Sequence, residues 1–263
     1  MKKLISTAAI VFSFSLLLTG CGGGGGSSNN NTENPESPIT PSSATTNGTW
    51  YGTYSENGVT YELAAMTYDG KIYVDSSIPT QDGYGIEMAD QYSGTFLVNN
   101  DVFSATLTSD QGITTTLSGT IDEQNKIDAT STSSDNSSGT WSLNYGSLYN
   151  EPSSQERIAG SWREFLETYY EEYREESTTI TISSDGTVTG SDNAGCIWDG
   201  SITTPDTNHS LYLVDITISN CGDNNMELNG FADAYIDEQE GIDYGLNLYV
   251  TPNGKPSQWL FLR

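Results

Sequence analysis

The sequence predicts an all-β chain built as two tandem antiparallel up-and-down β-barrels of about eight strands each. Three observations predict it. From about residue 48 onward Val, Ile, Thr and Tyr recur with period two, interrupted by turn dipeptides every 8–12 residues or so. Two markers then occur twice at nearly one offset. Gly48-Thr49-Trp50 is answered by Gly160-Ser161-Trp162, and Ile121-Asp122-Glu123-Gln124-Asn125-Lys126-Ile127-Asp128 by Ile236-Asp237-Glu238-Gln239-Glu240-Gly241-Ile242-Asp243, six of eight positions being identical. Finally, Trp141 and Trp259 fall in the last expected strand of each half, and Pro152-Ser153-Ser154 marks a junction between the halves.

In the second half, strands are expected at 160–166, 177–183, 187–190, 196–203, 210–219, 226–236, 242–251 and 257–263. Ser184-Asp185-Gly186, Pro205-Asp206, Gly222-Asp223-Asn224-Asn225 and Pro252-Asn253-Gly254 lie between them as turns. The first half gives about eight more, with turns at Asp69-Gly70, Asn99-Asn100-Asp101 and Gln124-Asn125. Asp-Gly and Asn-Gly supply the positive φ that tight hairpins require. Short strands with short connections suit a closed barrel, which has no open edge; a two-sheet sandwich is the alternative. If strands 196–203 and 210–219 form a hairpin centred near Asn208, Cys196 and Cys221 face each other at its open end. A disulfide there is worth about 3 kcal/mol in the chain-entropy model. The alternative is two buried free thiols, and a single histidine offers little to a metal site.

The N-terminus has Lys2 and Lys3, an apolar run from Leu4 to Leu18 and small residues before Cys21, the layout of a secretory signal peptide. The run is shorter than the roughly twenty residues of a membrane-spanning helix. Leu18-Thr19-Gly20-Cys21 resembles the lipobox of bacterial lipoproteins, which implies lipidation of Cys21, and Gly22 at the second mature position implies delivery to the outer membrane. The expected layout is a signal peptide at 1–20, a lipidated Cys21 with a flexible Gly/Ser/Asn/Pro tether over 21–47, and barrel domains at 48–152 and 156–263. A tether of that length reaches about 25–30 Å. An exported chain also lives where disulfides persist.

Removing residues 1–20 takes Lys2 and Lys3 from nine basic side chains, leaving seven against 35 acids, a formal charge of −28. Such a surface repels nucleic acid and steers cations toward itself.

The pattern Gly160-Ser161-Trp162, Ser184-Asp185-Gly186, Gly195-Cys196, Asp199-Gly200, Cys221-Gly222 and Arg263 resembles that of uncharacterised Gram-negative outer-membrane lipoproteins. Gly-x-Trp in a first strand is similar to lipocalins and related calycins, which implies calycin-like barrels. The glycine run after Cys21 resembles surface lipoproteins of the transferrin-binding and heparin-binding antigen type, although the Gly-Phe-x-Gly-Pro signature of those proteins is missing here.

For catalysis the sequence offers little. His209 is the only histidine and falls in an expected exposed turn, and there is no Gly-x-Ser-x-Gly, His-Glu-x-x-His or phosphate loop. The expectation is no enzyme, no cofactor and no catalytic residue; carboxylate-dependent hydrolysis ranks third among the functional readings. The segment 164–176, with Glu164, Phe165, Tyr169, Tyr170, Glu171, Glu172 and Tyr173, reads as an acidic-aromatic arm for a cationic partner or as a solvated face. Asp237, Glu238 and Glu240 are weak calcium candidates. The leading expectation is a lipid-anchored, non-catalytic binding or envelope-structural module, its partners the bilayer and an unknown small molecule or protein. Capture of a host or extracellular protein or glycan is the alternative.

Overall fold

The computed structural model describes residues 46–79, 86–165, 178–237 and 242–263. Strands β1 (Gly48–Glu56), β2 (Val59–Tyr68), β3 (Lys71–Pro79), β4 (Ile86–Asn99), β5 (Val102–Ser109), β6 (Thr114–Asp122), β7 (Lys126–Ser133) and β8 (Ser138–Gly146) close one barrel. A short helix α1 (Gln155–Ile158) leads into the second, made of β9 (Gly160–Glu164), β10 (Thr179–Ile182), β11 (Thr187–Ser191), β12 (Ile197–Thr203), β13 (Tyr212–Ser219), β14 (Met226–Asp237), β15 (Ile242–Val250) and β16 (Ser257–Leu262). Within each barrel every strand pairs antiparallel with its chain neighbour, and β1 with β8 and β9 with β16 shut the two sheets. Closure decides for barrels over the sandwich. The duplicated markers occupy equivalent places: Trp50 and Trp162 in the first strands, Ile121-Asp122 and Ile236-Asp237 at the ends of the sixth strands, Trp141 and Trp259 in the eighth strands.

The turns are where the dipeptides put them. Asp69-Gly70 and Asn100-Asp101 both carry two successive positive φ values, as a two-residue hairpin turn demands. Alternation then sends one face of each strand inward, clearest in β7, whose residues are buried at every second position. Trp50, Val74, Phe96, Phe103, Leu107 and Leu143 fill the first barrel, and Trp162, Ile180, Ile202, Ile216, Leu246 and Phe261 the second. Inward glycines let strands press together at the bends. A Cβ on Gly52 would sit 1.9 Å from the Ser142 carbonyl oxygen, and one on Gly230 2.0 Å from that of Tyr249.

One end of each barrel, its foot, is closed by the Gly-x-Trp tryptophan. The Trp50 indole N–H donates to Thr67 Oγ1 at 2.9 Å, and that hydroxyl donates to the Thr46 carbonyl at 2.6 Å. Trp162 donates to the Ile158 carbonyl at 2.7 Å, while the Arg263 guanidinium lies 5.1 Å over its ring and donates to the Ala159 carbonyl. The chain enters and leaves each barrel at this foot: Thr49 faces Gly146, and Arg163 faces Leu262. The opposite end is the mouth.

The barrels meet along a seam between outward residues of β2–β3 and β13–β15. Met66, Tyr73, Tyr149, Leu211 and Phe231 form a buried apolar cluster there. Tyr73 packs on Tyr249 with ring centroids 5.2 Å apart, and Tyr68 on Phe231 at 6.4 Å. Two carboxyls sit in the seam, each backed by the carboxamide directly across the strand pair. Gln91 Nε2 donates to Asp75 Oδ1 and Asn247 Nδ2 to Asp233 Oδ1, both at 3.0 Å. Burial pushes Asp75 up to about 7, with the Asp233 charge adding to the rise and the Gln91 and Tyr73 contacts opposing it. Burial likewise pushes Asp233 up to about 6, against the opposing effects of Asn247, Tyr249 and Arg157.

The seam therefore has a pH signature. Above about pH 4 the unfolded chain releases protons that folded Asp75 and Asp233 still hold. Their contribution to stability falls as pH rises and is fully lost above about 7, at up to about 1.4 kcal/mol per pH unit for each carboxyl. Thermal unfolding followed from about pH 4 to about pH 8, across that window, is expected to show Asp75→Asn gaining on the parent as pH rises. A constant difference would contradict this.

Candidate binding site

The two mouths differ in chemistry although the barrels are copies in topology. In the second barrel the mouth is sealed by apolar groups. Trp198 packs on Trp259 at 4.9 Å and on Phe261 at 6.1 Å, with Met226 against the same core. Cys196 and Cys221 form a disulfide across the rim, Cα atoms 4.8 Å apart. The hairpin is centred one half-step from the expected register: Ile197 faces Ser219, so Cys196 stands opposite Asn220. Asn220, at positive φ, turns the chain so that Cys221 reaches back across. Asp192 lies beside the two sulfurs, but these are bonded to each other, and Asp192 Oδ1 accepts the Cys196 backbone N–H at 2.9 Å. That is a capped turn, not a metal centre.

The first barrel's mouth is polar and aromatic. Tyr54 and Glu56 on β1, Tyr61 on β2, Asp90 and Tyr92 on β4, and Trp141 on β8 all fall at the inward positions of their strands. Tyr54 lies at the centre, 5.0 Å from Trp141 and stacked on Tyr61 at 5.7 Å; Tyr92 meets Trp141 edge-on at 6.1 Å. Gly139 makes room for the Tyr54 ring, since a Cβ there would sit 2.2 Å from it. The Tyr54 hydroxyl donates to Glu56 Oε2 at 2.5 Å, and the Tyr92 hydroxyl to Asp90 Oδ2 at 3.4 Å. Asp90 is anchored by a reciprocal bond: its N–H donates to Ser76 Oγ at 2.9 Å, and that hydroxyl donates back to the Asp90 carbonyl at 2.7 Å. This bracing sits at the β-bulge between Asp75 and Ser77. Burial, then the nearby Asp110 charge, raises the Asp90 carboxyl, with Glu56 adding to the rise. Burial also raises both phenols, so Tyr54 and Tyr92 stay protonated donors.

One buried donor in this mouth, the Trp141 indole N–H, makes no hydrogen bond, as is true of the Trp198 indole N–H in the second barrel, while the Ser131 hydroxyl lies against the Tyr54 phenol. Trp141 and Ser131 are each only 3% exposed. A buried unpaired donor costs about 1–3 kcal/mol, which a ligand oxygen would recover. The only basic residues between 48 and 152 are Lys71 and Lys126, which begin β3 and β7 at the foot. The mouth thus combines two carboxyls and a ring cluster with no cationic side chain of its own barrel.

The residues expected from sequence are placed as follows. Cys196 and Cys221 are bonded. Glu164 ends β9, its Oε2 accepting from the Thr178 hydroxyl at 2.6 Å, and Phe165 follows with its ring exposed. Asp237 ends β14 opposite Ile242. Cys21, Tyr169, Tyr170, Glu171, Glu172, Tyr173, Glu238 and Glu240 lie outside the described residues. His209, expected exposed, is half-buried: its ring stacks on Tyr149 at 4.4 Å, with Asp206 3.8 Å from Nε2. It belongs to the seam's edge, where the second barrel's foot loop meets the end of the first. Comparison with protein-family models, with curated proteins and with solved structures finds no match for this chain.

The disulfide closes a separation of 25 residues, so replacing both Cys196 and Cys221 by Ser is expected to lower the unfolding free energy by about 3 kcal/mol. Denaturant titration under oxidising conditions measures it; an unchanged midpoint would show the bond to be dispensable.

Proposed function

We propose that this chain is a membrane-anchored bacterial lipoprotein, cut before Cys21, acylated there and held at the outer membrane, whose two barrels act as a non-catalytic binding module. The binding end is the mouth of the first barrel. The observation that carries this reading is the contrast between the mouths: one is plugged by Trp198, Trp259 and a disulfide, the other lined by tyrosines, hydroxyls and carboxyls. The Cys196–Cys221 disulfide accords with an exported chain. Binding is favoured over carboxylate-dependent hydrolysis because Glu56 and Asp90, the mouth's carboxyls, each accept a phenol hydrogen bond. The second barrel, joined along the seam, serves as a structural support.

A second reading is a surface lipoprotein that captures a protein or glycan through its rim loops and the 164–176 arm. Phe165, 45% exposed where that arm leaves β9, favours it.

The anchor is tested by Cys21→Ser. Expressed in a Gram-negative host, the variant is expected to leave the detergent-extracted membrane fraction for the soluble one and to lose incorporation of labelled palmitate. Retention of both would refute acylation at this position.

A further inference from the structure

We infer that the mouth of the first barrel takes a small organic ammonium compound bearing a hydroxyl or carbonyl oxygen, its cationic group held between Glu56, Asp90 and the tyrosine rings. This inference rests on the binding reading above and adds the ligand class.

Four features converge on it. Tyr54, Tyr61, Tyr92 and Trp141 bring four rings to one barrel end, with neighbouring centroids 5.0–6.1 Å apart. Faces of such rings attract cations, most strongly where water is excluded. Glu56 and Asp90 add negative charge at the same level. Each is oriented by a phenol of the cluster rather than by a basic residue. The barrel's two lysines stand at the foot, so its own side chains do not supply the counter-charge. Trp141 then defines the oxygen: its buried indole N–H, without a partner, is a donor that an ammonium group cannot satisfy and a hydroxyl or carbonyl can. A purely apolar ligand would leave the carboxyl charges without a counter-charge and the indole unpaired, and an anion would meet Glu56, Asp90 and Asp110 together.

The rings pack on one another across the mouth, so a ligand enters by displacing one of them. Tyr61 is the ring positioned to move. It is half-buried at the rim, stacked on Tyr54, and it packs only partly against the core, whereas Tyr54 and Trp141 are buried. The cation then takes the place of the Tyr61 face against Tyr54.

The test is calorimetric titration of the full-length chain with choline, ethanolamine and 3,3-dimethylbutan-1-ol, the last being choline's shape without its charge. Choline or ethanolamine is expected to bind at least tenfold more tightly than the neutral alcohol, about 1.4 kcal/mol. Binding is expected to weaken by a further tenfold or more in Glu56→Gln/Asp90→Asn. Trp141→Phe keeps a ring but loses the donor, and it should weaken choline more than tetramethylammonium. Equal binding of choline and the neutral alcohol would overturn the cation assignment while leaving a binding mouth in place. Silence of all these probes, with the Tyr54 and Trp141 resonances unmoved in NMR spectra, would overturn both the ligand class and the mouth as a site. The wild-type comparison of choline with its neutral analogue decides the matter even where a variant fails to fold.

Discussion

Closing eight tilted strands on themselves leaves an interior only wide enough for side chains or one small ligand, and this constraint governs where either barrel can act. Every inward position must be filled to close-packed density, so Trp50, Phe103 and Leu107 in one barrel and Trp162, Ile202 and Phe261 in the other consume the lumen. Where neighbouring strands bend together, as at Gly52 against Ser142, there is no room even for a methyl group. Chemistry is therefore confined to the ends and the outer surface. The feet are committed to closure by tryptophan hydrogen bonds, and one mouth to a disulfide and a pair of packed indoles. The remaining end is the one at which inward residues turn polar.

The same constraint explains why the outside of the barrels carries an interface. Met66, Tyr73, Leu211 and Phe231 are apolar residues at outward positions, and they find cover only by meeting each other. Two aspartates share that cover. Their carboxamide partners, Gln91 and Asn247, come from the adjoining strand in each barrel, so the seam is built by similar means on both sides. It joins the copies through their differences from a solvent-facing β surface.

Strands, turns, the duplication and the disulfide were legible because each is a local signal: period-two alternation, Asp-Gly and Asn-Gly turns, a pair of cysteines flanking one hairpin. The one-residue difference in register at Cys196 came from Asn220, whose positive φ is a tertiary choice that a hairpin count does not see. The seam was not legible, since alternation separates in from out but does not say which outward face meets another barrel. Asp75 and Asp233 therefore look like two among 35 acids. The mouth lay between these cases. Glu56, Asp90, Ser131 and Trp141 come from β1, β4, β7 and β8, far apart in sequence, yet a signal was present. At the mouth end of several strands the inward position holds Glu56, Asp90, Ser109, Ser131 or Ser133, where the apolar period calls for Val or Leu. A break of pattern at one end of successive strands marks a barrel rim.

Because Thr49 faces Gly146, and Arg163 faces Leu262, each barrel's first and last strands leave the fold side by side. A unit with adjacent ends is a cassette: copying it in tandem adds a barrel without rerouting the chain through the existing one. The geometry also decides how tension is borne. A pull on the chain where it enters β1, resisted where it leaves β8, acts on the first barrel at one point, so it peels β1 from β8 bond by bond from the foot. The mouth, at the far end of those strands, is the last part of that barrel to feel the load.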